Sequence, residues 1–97
     1  MHEYQRLILE VEKVLLPLNF EKVKEDLKSD YCGSMLTIYN NDKARLMIEW
    51  DGEEGFGTIQ NWINGKWVQL ETLVVEGTEK QFKAKVEKLI LELKALL

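Results

Sequence analysis

The 97-residue chain is 45% hydrophobic and 31% charged, with a single proline, a balance that excludes disordered, collagen-like and low-complexity classes and allows one modest core. Its net charge of −4 is unevenly spread: residues 49–76 hold six acidic residues and one basic, a net of −5, whereas residues 77–97 hold three acidic and five basic, a net of +2. The acidic middle argues against a nucleic-acid partner, whose phosphates require the opposite sign.

Tyr4, Leu7, Ile8, Val11, Leu15 and Leu18 recur at spacings of three and four, which predicts an amphipathic helix that ends near Leu16, because Pro17 restricts its predecessor and cannot continue the ladder. Arg6, Glu10, Glu12 and Lys13 interrupt this stretch, unlike the apolar run of a signal peptide. No segment approaches the roughly 20 apolar residues that span a bilayer. Cys32 stands alone, so no intramolecular disulfide can form, and the expected setting is a reducing cytoplasm with no membrane contact. Cys32 itself reads as a small inert residue.

Residues 19–28 carry two patterns. Phe20, Val23 and Leu27 have helical spacing, while Val23, Glu25 and Leu27 alternate as in a strand; the charges Lys22, Lys24, Glu25, Asp26 and Lys28 favour a charged edge strand that resists unwanted pairing. Turn-forming Ser29, Asp30, Cys32, Gly33 and Ser34 follow, then strands at 35–39 and 44–50 separated by Asn40, Asn41 and Asp42. Leu46, Ile48 and Trp50 point to one side of the second strand, Arg45, Met47 and Glu49 to the other.

Trp62-Ile63-Asn64-Gly65-Lys66-Trp67 is the clearest local signal: Asn-Gly accepts the positive φ angles of a type I′ turn and fixes a two-residue hairpin. Trp62 then opposes Trp67 and Gln60 opposes Gln69. Finally, Thr78 and Gln81 form a capping-box pattern ahead of a helical stripe of Phe82, Val86, Leu89, Ile90, Leu93 and Leu97. The expected architecture is one α+β domain over 1–97: an N-terminal helix, an antiparallel meander of about five strands and a C-terminal helix, with both helices on one face of the sheet.

Chemistry-bearing motifs are sparse. His2 is the single histidine, which disfavours triads and zinc sites; no Gly-rich phosphate loop is present, and no cofactor is implied. Glu49, Asp51, Glu53 and Glu54 cluster around a turn without EF-hand spacing and read as a solvated acidic loop rather than a cation site. Catalysis is not expected.

What remains is a hairpin with two unlike faces, Phe56, Gln60, Trp62, Trp67 and Gln69 on one, Ile59, Ile63, Val68 and Leu70 on the other. If the aliphatic face is the core, the tryptophans face outward as the anchors of a protein-binding surface, with Glu53 and Glu54 as an acidic rim; the reverse assignment buries the tryptophans. The choice depends on the 51–55 loop. Five loop residues place Ile48 on the Trp face; Gly55 joining the ladder places Leu46 with Ile59. The expected function is a non-catalytic protein-binding module, neutralising or adaptor-like, whose partner is another protein or a second copy of the chain. The competing expectations are a small-molecule binder or enzyme using Tyr31, Tyr39, Trp50 and Asp51, and a purely structural homodimer.

Overall fold

The computed structural model describes residues 2–27 and 33–97. The turn chemistry of residues 29–32, with Tyr31 and Cys32, lies outside the described residues. Helix α1 (Glu3–Leu15) buries Tyr4, Leu7, Val11 and Leu15. Its start is fixed by His2, whose Nδ1 accepts the Tyr4 amide at 2.9 Å, so a terminal residue that the sequence leaves free to fray is the N-cap. A single 3₁₀ turn, Leu16–Leu18, carries Pro17 past the helix end, and Asn19 closes it in the left-handed region at φ 63°. Three residues per turn break the 3.6-residue phase, so Leu18, expected on the buried stripe, is 46% exposed.

Strands β1 (Glu21–Asp26), β2 (Met35–Asn40), β3 (Arg45–Asp51), β4 (Phe56–Ile63) and β5 (Lys66–Gln69) pair antiparallel in chain order. β1 is the charged edge, exposed throughout and bulged between Lys22 and Lys24. The β2–β3 turn is held by Asn41, whose Oδ1 accepts the amides of Lys43 and Ala44 while its Nδ2 donates to the Leu18 carbonyl. A short β6 (Val74–Val75) pairs with Phe56 and Gly57, so β5 and β6 share the outer edge of β4. The β4–β5 hairpin turns at Asn64 (φ 51°) and Gly65 (φ 83°), the pair of positive φ values that a type I′ turn demands.

Helix α2 (Glu79–Leu96) buries Phe82, Val86, Leu89 and Leu93. Its start lies beside that of α1: the Arg6 guanidinium donates to both Glu79 carboxylate oxygens, at 2.9 and 2.5 Å, and stacks 4.4 Å over the Phe82 ring. At the other end Leu96 and Leu97 border the same depression as Pro17 and Leu18, so the two helices run in the same direction across one face of the sheet. No helix among the described residues is long and apolar enough to cross a membrane.

Thr78 and Gln81 form both bonds of the capping box. Thr78→Ala removes the acceptor for the Gln81 amide and is expected to cost about 1 kcal/mol in a urea-unfolding series; an unchanged midpoint would show that the helix start is held by other means.

The core settles the register. Asp51 faces Phe56, leaving a four-residue turn at 52–55, so Ile48 opposes Ile59 and Trp50 opposes Gly57. Leu46, Ile48, Trp50 and Ile59 therefore share the helix-facing side, each no more than 2% exposed. Of the two loop alternatives, the outcome is that of the even-numbered one, although Asp51 rather than Gly55 takes the last ladder position. The helices do not reach the hairpin tip: Ile63 and Val68, on the aliphatic face, are each 39% exposed.

Candidate functional site on the open face of the sheet

Residues that alternate with the core-facing ones form the side of the sheet that neither helix touches. Reading the rungs across β3 and β4, Asp51 faces Phe56, Glu49 faces Thr58 and Met47 faces Gln60; across β4 and β5, Gln60 faces Gln69 and Trp62 faces Trp67. Period-two geometry puts all of these on one surface. On β2, Leu36 and Ile38 extend it, opposite Glu49 and Met47.

The two tryptophan rings meet edge to face, with centroids 5.1 Å apart and planes at 70°, an arrangement the ring quadrupoles favour. Trp62 is 40% exposed and Trp67 half-buried, while Gln69 is exposed and Phe56 and Gln60 are half-buried. The tryptophans are thus surface residues, and the assignment that buries them is excluded. In the middle of the face the Gln60 side-chain amide donates to the Glu49 carboxylate. Burial, and secondarily the charge of Asp51, pushes the Glu49 carboxyl above the usual carboxylate range.

Five of the residues singled out from sequence, Phe56, Gln60, Trp62, Trp67 and Gln69, share this surface. Glu53 and Glu54 do not flank the tryptophans. They sit in the turn before Phe56, where Asp51 Oδ1 accepts both their amides at 3.0 Å, and six residues of β4 separate that end from Trp62, about 20 Å. A charged residue of this face at the tryptophan end is Arg45, which the sequence pattern did not single out as part of the surface. It lies two positions beyond Met47, level with Trp62, is exposed, and donates from Nε to Asn40 Oδ1 at 3.1 Å. Along β3 the open face therefore carries a basic residue, Arg45, at the tryptophan end and an acidic one, Asp51, at the other.

Of the residues proposed for an enclosed pocket, Tyr39 and Trp50 are core residues, Asp51 is half-buried on the open face, and Tyr31 lies outside the described residues. Tyr39 is fully buried and donates to Glu12 Oε2 at 2.6 Å; Trp50 is 2% exposed, with the His2 ring edge-on at 5.2 Å. A depression of about 340 Å³ does lie between α1 and the β1–β2 edge, lined by Tyr4, Ile8, Leu9, Leu27 and Thr37 among others, but neither Tyr39 nor Trp50 borders it.

Among the described residues, His2, Glu3 and Glu76 bring potential ligand atoms within 4.8 Å of one another. The His2 ring is already committed. Its Nδ1 lone pair accepts the Tyr4 amide, which leaves the proton of a neutral imidazole on Nε2, so a cation at either nitrogen must displace the helix cap or that proton.

No protein-family model matches the sequence, and no curated protein or solved structure matches it significantly.

Proposed function

We propose that the chain is a non-catalytic protein-binding module that engages its partner through the open face of the sheet. The observation that carries this reading is the pair of touching tryptophans, Trp62 exposed and Trp67 half-buried, on a sheet face that no helix covers. Large aromatic side chains lose little conformational freedom when docked and bring much apolar area, so they dominate protein interfaces wherever they lie near the centre of a contact. The glutamines beside them supply hydrogen-bonding groups.

The test is a photo-crosslinking scan in living cells, with benzoylphenylalanine placed at Gln69 on the open face and at Leu91, which is 67% exposed on the outer side of α2. Protein adducts from position 69 that are absent from position 91 support the proposal. Combining Trp62→Ser with Trp67→Ser should lower the adduct yield from position 69 by about tenfold or more, the loss of two aromatic anchors, while the circular dichroism spectrum stays folded. No adduct from the open face, or equal adducts from both faces, would overturn it.

A further inference from the structure

We propose that the partner is a second copy of this chain, stacked face to face about a twofold axis that lies in the interface and runs across the strands; the proposal rests on the open face being the binding surface. Such an axis reverses strand direction while keeping each strand over its own counterpart, as an isologous contact requires. With the axis between the Met47–Gln60 and Glu49–Thr58 rungs, every residue meets the one equally far on the other side.

The open face is complementary to itself under that operation. On the central strand β3, Arg45 of one copy lies over Asp51 of the other, and on β4 Trp62 lies over Phe56. On β2, Leu36 lies over Ile38, and on the edge strand Lys24 lies over Asp26, since Lys24 pairs with Ile38 and Asp26 with Leu36 in the ladder. Opposite charges meet at two strands and apolar groups at the two others, while beside the axis Met47 lies over Glu49 and Gln60 over Thr58. The other in-plane axis, parallel to the strands, lays Arg45 on Arg45 and Asp51 on Asp51, and like charges opposed in an interface cost several kcal/mol.

Area is sufficient. Five strands about 4.8 Å apart, each about six residues long at about 3.3 Å per residue, give roughly 500 Å² per copy and about 1,000 Å² in total, the lower limit for a specific contact. Packed sheets cross at about 30°, which shifts the edges more than the centre, so Arg45 and Asp51 on β3 report the arrangement best.

Sedimentation of the full chain across a dilution series tests this. The wild type should show a monomer–dimer equilibrium. Arg45→Asp and Asp51→Arg should each weaken it at least about tenfold, because each puts like charges at both symmetry-related contacts; Asp51 also holds the Glu53 and Glu54 amides, so its variant counts only with a circular dichroism spectrum like that of the wild type, and Arg45→Asp decides alone if that spectrum changes. An equimolar mixture of the two variants should recover the dimer to within about threefold of the wild type, since in the mixed pair each contact again joins an arginine to an aspartate. A wild type that is monomeric at every concentration overturns the proposal, as does a dimer that the single variants leave intact or that mixing fails to restore. Open-face photo-adducts carrying a foreign protein and none of twice the chain mass would likewise sink the second copy, yet leave the binding-module reading standing.

Discussion

Trp50→Ala is expected to lower the unfolding free energy by about 3–5 kcal/mol, the range for emptying a large aromatic site in a close-packed core. The indole is 2% exposed and lies against the opposite strand at Gly57, where an added Cβ would sit 3.0 Å from both the Trp50 ring and Leu7 Cδ2. The glycine is thus the floor on which the tryptophan rests, and α1 closes the space above it. For a domain whose total stability is of order 5–15 kcal/mol, this one truncation removes a fifth or more. The chain carries its own controls, since Trp62→Ala and Trp67→Ala on the open face should each cost well under half as much. Urea unfolding of the three variants separates them. Equal losses at all three positions would mean that the β3–β4 register is shifted by one residue, with Trp50 on the open face.

A complementary substitution reads the same contact from the other side. Gly57→Ala places its methyl within 3.0 Å of Leu7 and Trp50, overpacking worth about 1–3 kcal/mol. In the Trp50→Ala background only the Leu7 contact remains, so the glycine substitution should cost less than in the wild type and the two losses should be non-additive.

Much of this architecture is legible in the residues because the relevant signals are local. The stripe of Tyr4, Leu7, Val11 and Leu15, the capping box at Thr78 and the Asn64-Gly65 turn each depend on neighbours a few positions away. The shared face of Phe56, Gln60, Trp62, Trp67 and Gln69 follows from strand periodicity once the hairpin is fixed. The β3–β4 register is different in kind. It turns on one residue of a loop, and what decides it is Asp51, which keeps its ladder position while its side chain holds the Glu53 and Glu54 amides and its carbonyl accepts the Gly55 amide. No pattern of hydrophobicity encodes that.

Distance along the sheet was also beyond the sequence pattern. Glu53 and Glu54 are near Phe56 in the chain and so read as a rim for the whole aromatic surface, yet strand rise carries the tryptophans about 20 Å away and brings Arg45 level with them instead. The exposed Ile63 and Val68 likewise reflect position along the sheet, at a hairpin tip that the helices leave uncovered. The polar bonds that tie distant elements are equally silent in the sequence: Glu92 reaches back to accept the amides of Glu71 and Thr72 where β5 gives way to β6, and Arg6 clasps Glu79 across 73 residues.

The bonds of two buried tyrosines, also between distant elements, make the fold sensitive to alkali. The Tyr4 hydroxyl donates to the Ile48 carbonyl at 3.1 Å and shares a 2.5 Å hydrogen bond with Thr37; the Tyr39 hydroxyl donates to Glu12. Burial raises both phenols well above their ordinary value. At Tyr4 the Thr37 hydrogen bond opposes burial without offsetting it, and Glu25 and Glu49 add smaller contributions in the upward direction; Glu12 adds to the effect of burial at Tyr39. A group whose folded pKa is raised stabilises the fold fully below its unfolded pKa and loses that contribution as pH rises toward the folded one. Above pH about 10, where unfolded tyrosines ionise, each phenol should therefore remove about 1.4 kcal/mol per pH unit, and the two together about 2.7 kcal/mol. Stability measured by urea unfolding from pH 8 to 11.5 should fall steeply past pH 10, with tyrosinate absorbance for these two rings appearing only as the chain unfolds. Tyr4→Phe and Tyr39→Phe should each be less stable than the wild type at pH 8, by about 1–3 kcal/mol for the bonds left unmade, but each should halve the alkaline slope that the pair produces. A slope that neither substitution reduces would place the phenols in water rather than beneath the helix, and the bond from Tyr4 to the two central strands with them.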